Sequence, residues 1–323
     1  MGTGDSSIPG VRVIPILKTG WIDQPPVENA FLRDTASLLR LSTNMLSLQD
    51  EFEIIHNHTY PDFFPSIVEQ TLKIPLVTTL HALYDSYMDE TLALYPKTHF
   101  VALSRAYRQL YQKARIQHVV YNGVDTTLYA YAEKKEDYLF WLGRLPKGKD
   151  PKGTYIDPKG VRTAIAVAEK TNHKLYLAGI VEDKAFFEKD VKPHLSESIQ
   201  WVGDVSSEQS VPISKVVDLM QHAKAFLMTI NQEEPFGLVM AEAGSCGTPV
   251  IAYHHGSVAE IVKDGLTGYV VDPEKGVEGL ASAVEKSNQI SPQACHDHVQ
   301  AHFTIDHMVD NYEKLYKEIL SAQ

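Results

Sequence analysis

What most constrains this chain is the alternation of short, wholly apolar runs with amphipathic helical segments. A run of four to eight apolar residues that lacks strict alternation reads as a strand buried on both faces, the signature of a parallel sheet. One series comprises VRVIPIL (11–17), FEIIHNHT (52–59), IPLVTTLH (74–81), HFVALS (99–104) and HVVYNGV (118–124). After the charged stretch YAEKKED a second series follows: YLFWLGRL (138–145), KLYLAGI (174–180), IQWVGDV (199–205), AFLMTI (225–230), PVIAY (249–253) and GYVVD (268–272). Helical patterns such as GVRTAIAVAEKTN and VVDLMQHAKA lie between the runs. The class is therefore α/β, with two Rossmann-like doubly wound domains, and 323 residues suit two cores rather than one. The expected division is 1–130, 131–295 and a helical tail over 296–323 that carries DHMVDNYEKLYKEIL.

Charge narrows the partners. A formal net charge of −11 argues against a general nucleic-acid or anionic-membrane binder, both of which need a basic field. The basic stretch SRAYRQLYQKAR (104–115) offers few large apolar residues and reads as a solvated face, so peripheral membrane contact is not indicated. The start, MGTGDSSIPG, has no basic segment followed by an apolar one, and no run of about 18 apolar residues occurs. The expectation is a cytoplasmic protein. Cys246 and Cys295 are too few for a disulfide framework and read as small apolar fillers.

The densest chemistry lies in EEPFGLVMAEAGSCG, where Glu234 and Glu242 stand eight positions apart. The segment predicts a helix that begins after Pro235 and is closed by Gly247. On such a helix the two carboxylates lie about 12 Å apart on one face, placed to grip two ends of one ligand. Gly237 and Leu238 open the helix, where free amides and the positive dipole end suit a phosphate. HNH (56–58) sets His56 and His58 on one face of a strand, a spacing compatible with a metal, but no third ligand follows at a sensible distance and no Asp-x-Asp motif occurs. No metal is expected. HDHVQAHF (296–303) reads as solvated, and Asn122-Gly123 as a turn.

EPFGLVMAE, with CGTPVIAYHHGSVAEIVKDGLTGYVV after it, resembles the glutamate, seven residues, glutamate motif of retaining GT-B glycosyltransferases of the family-4 type. WLGRL, PKGVRTAIAVA, LAGI, WVGDV, YNGVD and LVTTLHA extend the resemblance over roughly residues 50 to 285. It implies a nucleotide diphosphate sugar donor, UDP among the candidates with the base open between uracil, guanine and adenine, with Glu234 on sugar hydroxyls and Glu242 on the ribose. It also gives Arg144 and a lysine to the diphosphate, His81 to the reaction centre, and Glu260 to the donor cleft or to holding the loop HHGS. The lysine is open among Lys149, Lys152 and Lys159, because the loop PKGKDPKGTYIDPKGVRTA is longer than in relatives. Lys159, directly before Gly160 and the helical pattern, is the choice. The resemblance implies transfer of a hexose with retention to an unidentified acceptor, no cofactor, and no protein nucleophile.

Relatives begin with a strand, a glycine-rich loop and a long helix, whereas this chain begins with text that follows that unit, so about 30 residues or more are expected to be missing from a shortened first domain. Such a domain exposes an edge that a homo-oligomer or a second chain would cover. Two other readings share the motifs: a nucleotide-sugar binding protein or partial enzyme without turnover, and a GT-B epimerase or phosphorylase.

Overall fold

The computed structural model describes residues 1–20, 28–204 and 211–322. They form two compact units. One comprises Met1–Ala102, Tyr111–His118 and Lys314–Gln323, the other Leu103–Leu110 and Val119–Glu313.

In the first unit β1 (Gly2–Thr3) pairs in parallel with β2 (Pro15–Leu17). A separate sheet takes the sequential order β3 (Ile55–Asn57), β4 (Leu76–Thr79), β5 (His99–Ala102) and β6 (His118–Val119), with the first three strands parallel. Helix α1 (Ala30–Leu48) starts at Asn29, whose side chain accepts the Leu32 amide, and α2 (Ser86–Leu92) starts at Asp85, which accepts that of Tyr87. Buried acids fasten the loops. Asp89 accepts the amides of Gln112, Lys113 and Ala114, and Glu69 accepts both the amide and the hydroxyl of Thr98 at 2.7 Å.

The second unit is a six-stranded, wholly parallel sheet in the order β12-β11-β10-β7-β8-β9. Its strands are β7 (Tyr138–Arg144), β8 (Lys174–Ile180), β9 (Ile199–Asp204), β10 (Ala225–Met228), β11 (Val250–Tyr253) and β12 (Gly268–Val271). Its helices are α3 (Arg105–Leu110), α4 (Val161–Thr171), α5 (Lys184–Phe186), α6 (Ile213–His222), α7 (Leu238–Ser245), α8 (Val258–Ile261), α9 (Gly276–Lys286) and α10 (Pro292–His302). The last helix, α11 (Ile305–Ser321), begins in this unit and ends in the other. Successive strand residues feed two cores. Leu139, Trp141, Ala225 and Leu227 pack with α4 and α9, while Phe140, Phe226 and Met228 pack with α6, α7 and Val299 of α10. Both faces are covered, which is why these strands read as unbroken apolar runs.

Each apolar run contains a strand, though VRVIPIL yields only Pro15–Leu17, and Val205 of WVGDV lies outside the described residues. The pair β1–β2 involves a strand that the sequence did not announce. One expectation is corrected. The helix after Pro235 opens at Leu238, because Gly237 takes a left-handed conformation (φ +74°) and interrupts it. Glu234 therefore lies in the loop before α7, and Glu234 and Glu242 do not share a helical face.

Candidate functional site

The order of strands in the second unit reverses between β7 and β10: the chain runs from β7 outward to β8 and β9, then crosses to β10 and outward to β11 and β12. At such a switch point the connections leave in opposite directions and open a crevice beyond the carboxyl ends of the strands. A cleft of about 290 Å³ lies there, lined by Trp141–Arg144, Lys159, Gly179, Ile180, and residues from Met228 to Val239.

Two loops are laced together beside it. Asp157 caps α4 by accepting the amides of Gly160, Val161 and Arg162. The Asn231 amide donates to the Pro158 carbonyl and its side chain to that of Asp157, while the Thr229 hydroxyl donates to the Gly160 carbonyl at 2.7 Å. The approach is so close that a Cβ on Gly160 (φ +72°) would sit 1.7 Å from the Thr229 carbonyl oxygen. The lacing holds Lys159 where its Nζ meets Glu234 Oε2 at 2.7 Å, with the two side chains 23% and 13% exposed. Arg144 ends β7 on the same cleft, exposed, with no acidic partner among the described residues. No acceptor faces the Leu238 and Val239 amides among the described residues, so the first turn of α7 presents two bare donors. The structure thus brings together Arg144, Lys159, Glu234, Gly237 and Leu238. Of the alternative lysines, Lys149 lies over the Tyr155 ring at 4.4 Å and Lys152 is exposed on a turn closed by Asp150.

Glu242 is buried within α7 and is not among the residues lining that cleft. Burial pushes its carboxyl up to about 7, against a lowering interaction with the Tyr129 hydroxyl. Glu260 accepts the amides of Arg105 and Ala106 at the start of α3, and the Tyr121 hydroxyl at 2.6 Å. The loop HHGS is held instead by Glu233, whose carboxylate accepts the Gly256 amide and meets His255 Nδ1 at 3.2 Å. Tyr129 and Glu233 carry no signal in the sequence that marks them. Cys246 and Cys295 are buried, and burial pushes both thiols up to about 12.

His81 belongs to the first unit, where it closes β4 and is exposed. Its amide and that of Ala82 donate to Asp62 Oδ2 at 2.7 Å, and its Nε2 meets His58 Nδ1 at 2.9 Å. His58 in turn meets His56, so the three rings bond to one another rather than converge on a point. Among the described residues no group of three or more His, Cys, Asp or Glu side chains is disposed to hold a metal ion. Nor, among the described residues, is any helix long and apolar enough to cross a membrane.

The model of the family described as Glycosyl transferases group 1 matches residues 130–296, and that of Glycosyltransferase Family 4 matches residues 5–128. The chain belongs to the group 1 glycosyl transferases. Among curated relatives, the Bacillus subtilis protein YtcC is 28% identical over 120 residues, 35% of this chain and 29% of that protein. The alpha-maltose-1-phosphate synthase of Mycolicibacterium smegmatis is 24% identical over 299 residues, 77% of this chain and 73% of that protein. Among solved structures, a sucrose-phosphate synthase from Thermosynechococcus elongatus aligns at a TM-score of 0.73 and 17% identity, covering 93% of this chain and 82% of that one. Anabaena HepE, solved in complex with UDP and glucose, aligns at 0.65 and 18%, covering 93% and 84%. The fold of this group 1 glycosyl transferase is that of the GT-B enzymes, with two Rossmann-like units.

Proposed function

We propose that this protein is a retaining glycosyltransferase that moves a hexose from a nucleotide diphosphate sugar, UDP-linked like the UDP-glucose with which HepE has also been solved, to an acceptor hydroxyl. The observation that carries the reading is the meeting of Arg144, Lys159, Glu234 and the bare amides of Leu238 and Val239 at one switch-point cleft. Departure of a nucleoside diphosphate builds negative charge, and fixed cations with a helix dipole stabilise it without reorganising. Arg144 and Lys159 supply the charge, the α7 amides bind phosphate oxygens, and Glu234 accepts sugar hydroxyls. These groups hold the diphosphate in this reading without a metal ion. Glu242 takes the ribose hydroxyls, a task that needs its carboxylate form. His81 acts at the donor sugar, and Glu260, occupied by α3, positions the fold.

Calorimetric titration with UDP, GDP and ADP, repeated on Arg144→Ala and Glu242→Gln, tests the donor site. Selective UDP binding weakened in both variants is expected, tightening as pH rises through about 7 where Glu242 ionises. Turnover of a labelled UDP-hexose, with the anomeric configuration of the product read by NMR, tests transfer and retention. Absence of binding to all three nucleotides overturns the reading.

A further inference from the structure

A neutral imidazole carries one N–H and one bare lone pair, so rings joined nitrogen to nitrogen constrain each other. His56 Nδ1 faces the Tyr316 hydroxyl at 2.5 Å and His58 Nε2 at 3.2 Å, while His56 Nε2 faces Thr79 Oγ1 at 2.8 Å. His58 Nδ1 faces His81 Nε2 at 2.9 Å. Two lone pairs, or two N–H groups, cannot face each other at these distances. Placing the proton on one ring therefore places it on all three.

Only two assignments are coherent for neutral rings. In the first, Tyr316 O–H and His58 Nε2–H donate to His56 Nδ1, His56 Nε2–H donates to Thr79, and His81 Nε2–H donates to His58 Nδ1. In the second, every ring proton sits on the other nitrogen and Tyr316 must accept. A phenol donates better than it accepts, and an imidazole nitrogen is a strong acceptor, which selects the first. The rings are neutral near pH 7, because desolvation holds His56 down to about 3, and desolvation on the packed sides of the His58 and His81 rings holds both below their usual value.

We infer that His56, His58 and Tyr316 are positioning residues that hold His81 as its Nε2–H tautomer, leaving Nδ1 as a bare acceptor for a ligand hydroxyl. His81 is exposed and its Nδ1 has no partner among the described residues, so the ring end away from the chain of histidines is the one that can meet a ligand. The use of that acceptor on a sugar hydroxyl rests on the proposed function; the tautomer does not.

Long-range 1H–15N NMR of the full chain with ring-labelled histidine, at pH 7.5 and without nucleotide, reads the tautomer directly, with His81 assigned by comparison with His81→Gln. The expected proton position in the unsubstituted protein is Nε2. Tyr316→Phe removes the donor that sets the direction and should put a measurable Nδ1–H fraction on His81, although the two residues share no bond. His58→Phe should do the same, and His58→Gln, whose amide can both accept and donate, should restore Nε2–H. An Nδ1–H proton on His81 in the unsubstituted protein overturns the inference, as does a tautomer unmoved in both Phe variants. The first of these readouts needs only His81→Gln, at an exposed position, for its assignment, so a Tyr316 or His58 variant that fails to fold leaves the inference testable. Lack of turnover with the tautomer as expected would sink the proposed function alone.

Discussion

The two units solve the problem of placing a side chain in different ways. In the second, position follows from topology: the strand order reverses at β7 and β10, both faces of the sheet are packed, and the cleft residues sit on strand ends and laced loops. In the first, the sheet is four short strands, and position follows from polar groups, with Asp89, Glu69 and Asp62 gathering loop amides and three histidines bonded in series. Its surface also keeps large apolar side chains, Phe31 at 75%, Tyr87 at 79% and Leu94 at 70% exposed. A site carried by a packed sheet tolerates the loss of one polar partner; a site carried by a polar network does not.

Substitutions can break this contrast. Gly160→Ala should have the largest effect, because a Cβ 1.7 Å from a backbone oxygen at φ +72° cannot be relieved by a side-chain rotation. A loss of about 4 kcal/mol is expected, with hydrogen exchange rising in β7 and β10 and nucleotide binding abolished. Asp89→Ala should cost about 3 kcal/mol by leaving three amides without an acceptor, and the exchange should rise in residues 111–118 while β7 and β10 keep their protection. If β7 and β10 opened equally, the units would not be separate in stability.

Arg144→Ala should leave the thermal midpoint unchanged and weaken UDP by roughly 10- to 100-fold, the worth of one charge-assisted hydrogen bond. Acidification sharpens the comparison through its sign. His56 is held down to about 3, below its unfolded value, so its contribution to stability is full above pH 6.5 and is lost as pH falls towards 3. Glu242 is raised to about 7, so its contribution is full below pH 4.5 and is lost as pH rises through 7. Between pH 7 and 5, exchange protection should therefore fall around β3 and rise around α7.

Much of the second unit was legible because buried parallel strands write themselves as apolar runs, and KLYLAGI matches β8 residue for residue. The start of α7 was not, since Pro235 is a good first helical residue and nothing local shows that Gly237 turns left-handed. Lys159 and Glu234 were each singled out, yet their contact was invisible because it joins positions 75 apart through a lacing that depends on Thr229 and Asn231. The alternation of units was equally hidden. No change of composition marks the passage at Leu110–Tyr111 or at His118–Val119. HNH was expected to be one strand face, but β3 ends at Asn57 and His58 lies just past it, and the links of these histidines to His81 and Tyr316 span 23 and 260 residues.

Residues 314–322 were expected to be part of a tail, and they are instead working parts of the first unit: Tyr316 reaches His56, and Ile319 is buried. During synthesis, then, the contacts of the first unit with residues 314–322 cannot form when Ala102 or His118 has emerged. His56 must wait for its Tyr316 partner until the ribosome has passed that residue, by which time the whole second sheet has been made. The unit that is begun first is the one that is finished last.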